Sequence, residues 1–243
     1  MTMRVDAQPA LVLHARAYRE TSLLLECLTA DHGRIGLVAR GVRRARSRLP
    51  RGLLQPLQPL LLGWTGAGEL ATLTQAEASA APLPLHGERL YSAMYLNELI
   101  LRLCARGDPH SGLFEHYGLC LRRLADGEPE GWTLRRFERD LLMVLGYGLV
   151  LDRDCESGAS LDAACDYTYV IDAGPQAWRG DSRALRISGA ALLALGRDEM
   201  PTAAQGGELR HLMRALLQHQ LGGGTLNAWA LSGAAAGKAP RDA

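Results

Sequence analysis

The chain has 243 residues, 47% of them apolar, and a formal net charge of +1, enough to bury a real core as one large domain or two small ones. It contains a single lysine, Lys238, which excludes phosphate-loop, Schiff-base and lysine general-base chemistry inside the fold. The charge is unevenly spread: residues 1–80 carry ten arginines against six acids, whereas the remainder carries seventeen basic against twenty acidic residues.

A near-neutral total therefore hides a basic N-terminal third. Cys27, Cys104, Cys120, Cys155 and Cys165 are an odd number without close pairing, and no long apolar stretch follows a basic head. A reduced, cytoplasmic protein is the expectation. No run approaches the roughly eighteen apolar residues that a membrane span requires.

From residue 9 to 76 short apolar runs alternate with turn signals, the pattern of a small antiparallel barrel or sandwich. Five strands are predicted, over 10–16, 22–28, 35–40, 57–64 and 69–75. Asp31-His32-Gly33 and Thr65-Gly66-Ala67-Gly68 supply tight connections. Pro82 and Pro84 then forbid both continued strand pairing and an immediate helix. They mark the expected boundary between a domain over 1–80 and a second over 85–243.

Beyond it the period becomes helical. Leu113, His116, Tyr117, Cys120, Leu121 and Leu124 share one face, and similar stripes run through 90–103, 134–145 and 209–221. Gly146 and Gly222 stand where left-handed caps would end two of these helices. Residues 150–181 lose the period and predict a small irregular insert with a strand-like run at 167–171. The tail over 237–243 has no apolar anchor and predicts disorder.

The strongest local signal is Arg40, Arg43, Arg44, Arg46, Arg48 and Arg51, set between the third and fourth predicted strands in a stretch without acids from His32 to Gly68. Such cations repel one another unless solvent or an anion relieves them. A solvated loop would satisfy that, but its place on a small five-stranded barrel favours nucleic acid. Arginine grips phosphate with a planar fork and stacks on bases. Aromatics are few: Trp64 reads as core, and Tyr18, between Arg16 and Arg19, as the base-contact candidate. Binding led by phosphate and tolerant of sequence follows.

Catalytic and metal signatures are missing. There is no G-x-S-x-G, H-E-x-x-H or G-x-x-x-x-G-K. Cys155 and Cys165 lie ten apart without a Cys-x-x-Cys, and His211 and His219 lie eight apart on one predicted helix, too far for one metal. No catalytic residue, cofactor or metal is expected. An adaptor whose basic loop meets an acidic protein, or a nuclease with dispersed ligands, are the competing readings.

Several segments, in order, carry a resemblance: Leu11-Val12-Leu13-His14, Glu20-Thr21-Ser22-Leu23, Gly33-Arg34, then 37–43, Leu54-Gln55-Pro56, Pro59-Leu60-Leu61-Leu62, Tyr91-Ser92, 95–99, 134–138 and Leu145-Gly146-Tyr147-Gly148. Over nearly its whole length the chain resembles the RecO family of bacterial DNA repair proteins. The resemblance implies an N-terminal OB-fold, a mainly α-helical C-terminal domain, and a non-enzymatic activity. That activity is to bind single-stranded DNA, anneal complementary strands and help load recombinase onto DNA coated by single-strand-binding protein. It further implies RecR and the acidic C-terminal tail of single-strand-binding protein as partners, with association with the bacterial nucleoid.

Candidate DNA contacts are Arg34, Arg40, Arg43, Arg44, Arg46, Arg48, Arg51 and Tyr18, on single strands and potentially on duplex. An acidic tail ending in apolar residues suits arginine beside leucine, so Arg122, Arg123, Arg135, Arg136 and Leu142 are the partner candidates. Two departures from the family stand out. The insert lacks the zinc-binding cysteine cluster that members often carry, so packing is expected to hold the loop around Cys155 and Gly158. After Leu221-Gly222-Gly223 the usual basic residues are replaced by Thr225, Asn227 and Trp229.

Overall fold

One long strand, β1 (Arg4–Tyr18), pairs with two neighbours, β2 (Ser22–Thr29) and β4 (Pro59–Thr65). In this computed structural model residues 4–228 are described, apart from Arg48, Pro50, Ala67 and Ser182. The expected contact at Arg48, the replacement at Trp229 and the tail over 237–243 lie outside the described residues. Register shifts in β1, between Val5 and Gln8 and between Val12 and His14, bend the strand and raise its twist. It can thereby close a barrel with β3 (Gly33–Ala39) and β5 (Ala71–Ala78) in the order β1-β2-β3-β5-β4. Within this barrel β3 and β5 pair in parallel and the other neighbours antiparallel. This is the five-stranded Greek-key barrel of the OB-fold.

Ala10, Val12, Leu25, Cys27, Leu37, Leu60, Leu62, Trp64 and Leu73 fill the interior, with Trp64 in the core as its sequence position suggested. Leu11, Leu13, Leu24 and Leu28 point the other way yet are also buried. These strands read as continuous apolar runs because both of their faces are covered.

Past Pro82 and Pro84, α1 (Gly87–Leu103) packs against β1. The bulge at Leu13 removes its carbonyl from the ladder, and Asn97 of α1 donates to that oxygen at 2.9 Å. Tyr117, on α2 (Leu113–Asp126), donates in turn to Asn97 Oδ1. Both side chains are buried, so this polar chain is satisfied rather than left as a desolvation cost. The apolar face of α2 is the one expected, except that His116 is only half-buried.

By packing, the chain forms two compact units. One runs to residue 125 and is rejoined at Leu226; the other is residues 126–225. The prolines thus separate strand from helix, while α1 and α2 pack in the same unit as the barrel.

In the second unit α3 (Glu130–Val144) and α4 (Gly189–Gly196) pack on α5 (Ala203–Gln220). Thr202 and Gln205 form a capping box that starts α5. Gly146, at φ +87°, and Gly222, at φ +64°, adopt the left-handed caps expected of them. The predicted stripes missed α4. Its sequence is apolar all round, which leaves no amphipathic period to read.

The insert is more regular than expected. β6 (Asp166–Val170), β7 (Gly174–Ala177) and β8 (Arg186–Ser188) form a sheet in the order β7-β6-β8. The loop before it is held by Asp154, whose carboxylate accepts from the backbone N–H groups of Glu156 and Ser157, each at 2.8 Å. Those bonds hold the carboxyl below the usual carboxylate range. Cys155 N–H donates to Pro175 O at 2.7 Å, tying the loop to β7. Among the described residues no helix is long and apolar enough to cross a membrane.

Candidate nucleic-acid interface

The arginine loop leaves the barrel at the end of β3, and apolar residues interleaved with its cations fix how it lies. Val42 and Leu54 are buried in the barrel core, and Leu49 and Leu53 pack against it. Arg43 N–H donates to Thr21 O at 2.9 Å and Gly41 N–H to Ser22 Oγ at 3.4 Å, which pins the start of the loop to the β1–β2 turn. With the leucines and valine inward, Arg40, Arg43, Arg44, Arg46 and Arg51 are exposed. None of these five is ion-paired to an acid among the described residues. Their charge is available to an outside anion.

An open cleft of about 850 Å³ adjoins the loop. Its lining comprises the β1–β2 turn from Tyr18 to Ser22, the adjoining start of the loop at Arg40, Gly41 and Arg44, and Val38, Leu70, Ala71 and Thr72 from β3 and the start of β5. OB-folds take oligonucleotides on the face of strands 2 and 3 between the β1–β2 and β4–β5 loops, and this cleft lies there. Tyr18 sits in it half-buried. The Arg19 guanidinium stands 5.2 Å from the centre of its ring, within cation–π range.

Arg34 requires a correction. Its side chain is only 16% exposed and pairs with Glu26 at 3.0 Å. Its guanidinium also donates to the carbonyls of Leu101 and Cys104, at 2.7 and 2.8 Å. Arg106 donates to the same Glu26 carboxylate. Burial raises the Glu26 pKa, but the bonds from Arg106 and Arg34 outweigh it and hold the carboxyl below its ordinary range. Arg34 fastens β3 to the end of α1 instead of facing a ligand.

The partner candidates divide similarly. Arg122 is exposed and Arg123 half-buried on α2, in the first unit. On α3, in the second, Arg135 is buried against Glu138, and Arg136 pairs with Asp198 and with Glu128. Leu142 is 1% exposed and belongs to the core. The three α3 residues are thus engaged within their own unit.

No group of three or more His, Cys, Asp or Glu residues is placed to hold a metal ion among the described residues. Cys155 and Cys165 are exposed free thiols. Displaced titrations occur in the interior: burial pushes the Cys27 thiol up and that of Cys104 up to about 11.

Sequence reading assembled the loop and Tyr18 but left out Arg19, Thr21, Ser22, Leu70 and Thr72, which share the cleft. Arg19 carried a signal in its place beside Tyr18 at a turn. Leu70 and Thr72 carried none, because only the parallel pairing of Val38 with Thr72 brings them there.

Two family models match the chain: Recombination protein O N terminal over residues 3–81 and Recombination protein O C terminal over residues 85–230. Proteins named DNA repair protein RecO are similar over most of their length. That of Nitrosococcus oceani is 47% identical over 90% of this chain and 89% of its own. The Stenotrophomonas maltophilia protein is 46% identical over 93% and 96%, and the Ralstonia nicotianae protein 46% over 92% and 82%.

Proposed function

The chain belongs to the recombination protein O family of DNA repair proteins, and from that premise we propose that it acts as a non-catalytic recombination mediator. In this reading it binds single-stranded DNA along the cationic cleft and loop of its barrel and anneals complementary strands. It also helps load recombinase onto DNA coated by single-strand-binding protein. The observation that carries the reading is the set of five exposed arginines without acidic partners among the described residues, on a loop whose Arg40 and Arg44 line an open cleft of an OB-fold.

Annealing requires two polyanions to approach while their base edges stay free. Arginines that neutralise phosphate lower that repulsion without occupying the bases. RecR and the acidic tail of single-strand-binding protein are the partners of this reading, in the cytoplasm at the nucleoid. Of the five tail-contact candidates Arg122 is the exposed one, so α2 is the better place to test for the tail.

The test is a titration of the full chain with labelled single-stranded DNA at two salt concentrations, followed by an annealing assay on the same sample. Salt-sensitive binding with strand pairing that needs no nucleotide is expected. Absence of DNA affinity at moderate salt would support an adaptor for an acidic protein instead. Strand cleavage dependent on a divalent ion would indicate a nuclease.

A further inference from the structure

Phosphate neutralisation needs only exposed cations, and the loop from Arg40 to Arg51 provides them. The adjoining cleft contains more than that. Tyr18 presents an aromatic ring with the Arg19 guanidinium 5.2 Å from its centre. Arg19 is held at φ +52°, a left-handed conformation that costs a residue bearing a side chain free energy. The same cleft is lined by apolar Val38, Leu70 and Ala71 and by Thr21, Ser22 and Thr72, which carry hydroxyls. Leu70 is 42% exposed, an apolar side chain left toward solvent. Such a surface suits a group with a flat apolar face and a polar edge better than it suits a bare phosphate.

A nucleobase has that character. Both a tyrosine ring and a guanidinium plane stack on bases. Arg40 and Arg44 share the lining, and Glu20 is the one acid in it. Its charge repels phosphate, which favours a strand whose backbone runs along Arg40 and Arg44.

Resting on the DNA-binding reading above, the geometry points to a base-accepting subsite in which Tyr18 and Arg19 stack an unpaired base and so select single-stranded over duplex DNA. Bases in a duplex are already stacked and paired and cannot enter without being extruded, at a cost of a few kcal/mol. Recognition through the face of the base keeps binding tolerant of sequence, since every base has a π-face. The loop supplies attraction for any nucleic acid, and the Tyr18–Arg19 pair supplies the preference for one unpaired strand.

The experiment compares three labelled probes of equal length on the full chain by fluorescence anisotropy: a thymine strand, an abasic strand with the same phosphates, and a duplex. The wild type is expected to bind the thymine strand about tenfold more tightly than the abasic one, equivalent to about 1.4 kcal/mol. Tyr18→Ala should bring the thymine strand to within about twofold of the abasic level while abasic binding holds. Tyr18→Phe should keep the preference, and Arg19→Ala should reduce it. Equal wild-type affinity for thymine and abasic strands, with salt-sensitive binding intact, would overturn the subsite and leave the loop's role standing. A preference unchanged in both Tyr18→Ala and Arg19→Ala would overturn it too. Failure to bind any of the three probes would instead overturn the DNA-binding reading on which the subsite rests.

Discussion

Two arginine-dense segments of this chain have opposite fates. Residues 40–51 hold six arginines, and no acid occurs from His32 to Gly68; the five described ones are exposed and carry no acidic partner among the described residues. On α3, Arg135, Arg136 and Arg139 fall within five positions, but Glu138 and Asp140 lie among them, and Glu128 and Asp198 reach them. Asp198 is partly buried, which raises its pKa, yet hydrogen bonds from Arg136 and attraction to Arg139 hold it below the ordinary range. What makes an arginine available is therefore the location of acids, near in sequence or brought near by the fold. The α3 arginines belong to the architecture, and the loop arginines stay exposed to solvent.

The sharpest way to break this comparison is to remove an acid from α3. Glu138 is completely buried beside Arg135, and deleting one partner of a buried ion pair leaves an uncompensated charge, at about 3–5 kcal/mol. Glu138→Ala should lower stability to urea by that amount. A loss below about 1 kcal/mol would mean that α3 does not depend on the pair.

A smaller effect is expected at Glu26, the acid that engages Arg34 and Arg106. Hydrogen bonds to charged groups contribute about 1.5–3 kcal/mol, so Glu26→Gln should destabilise the first unit on that scale near neutral pH. The depressed carboxyl binds protons less readily folded than unfolded. Its contribution is thus complete above its ordinary value of 4.5 and declines as pH falls through the lower folded value. The gap between wild type and Glu26→Gln should narrow on acidification, as followed by denaturation at a series of pH values. A gap that widens toward low pH would contradict the assignment.

The smallest stability change is expected in the loop. Replacing Arg43, Arg44 and Arg46 by alanine should leave folding stability within about 0.5 kcal/mol, as for surface positions without structural contacts. A substantial drop in thermal denaturation would show that these arginines also support the barrel.

The comparison also explains which parts were legible in the sequence. The five barrel strands, the turns and four of the five α-helices among the described residues followed from short apolar runs, glycine and proline punctuation and helical periodicity, all local signals. The loop was legible because its lack of acids is itself local. Arg34 was misjudged because its partners, Glu26 and the carbonyls of Leu101 and Cys104, come from other elements. Arg136 was misjudged for the same reason, since Asp198 lies 62 residues away. In the sheet of the insert the strand-like run expected at 167–171 is β6, while β7 and β8 stayed hidden because they have only four and three residues, too few to show alternation. The cleft needed topology, because a parallel pairing of β3 with β5 delivers Leu70 and Thr72 to the turn that carries Tyr18.

The central claim, that the loop meets phosphate, is tested most directly by the salt dependence of single-strand binding in a variant with Arg43, Arg44, Arg46 and Arg48 changed to alanine. For every phosphate that an arginine no longer neutralises, the slope of log affinity against log salt should fall by about 0.7. Weak binding with a slope flattened by about 2–3 is predicted. An affinity and slope equal to those of the wild type would contradict the account.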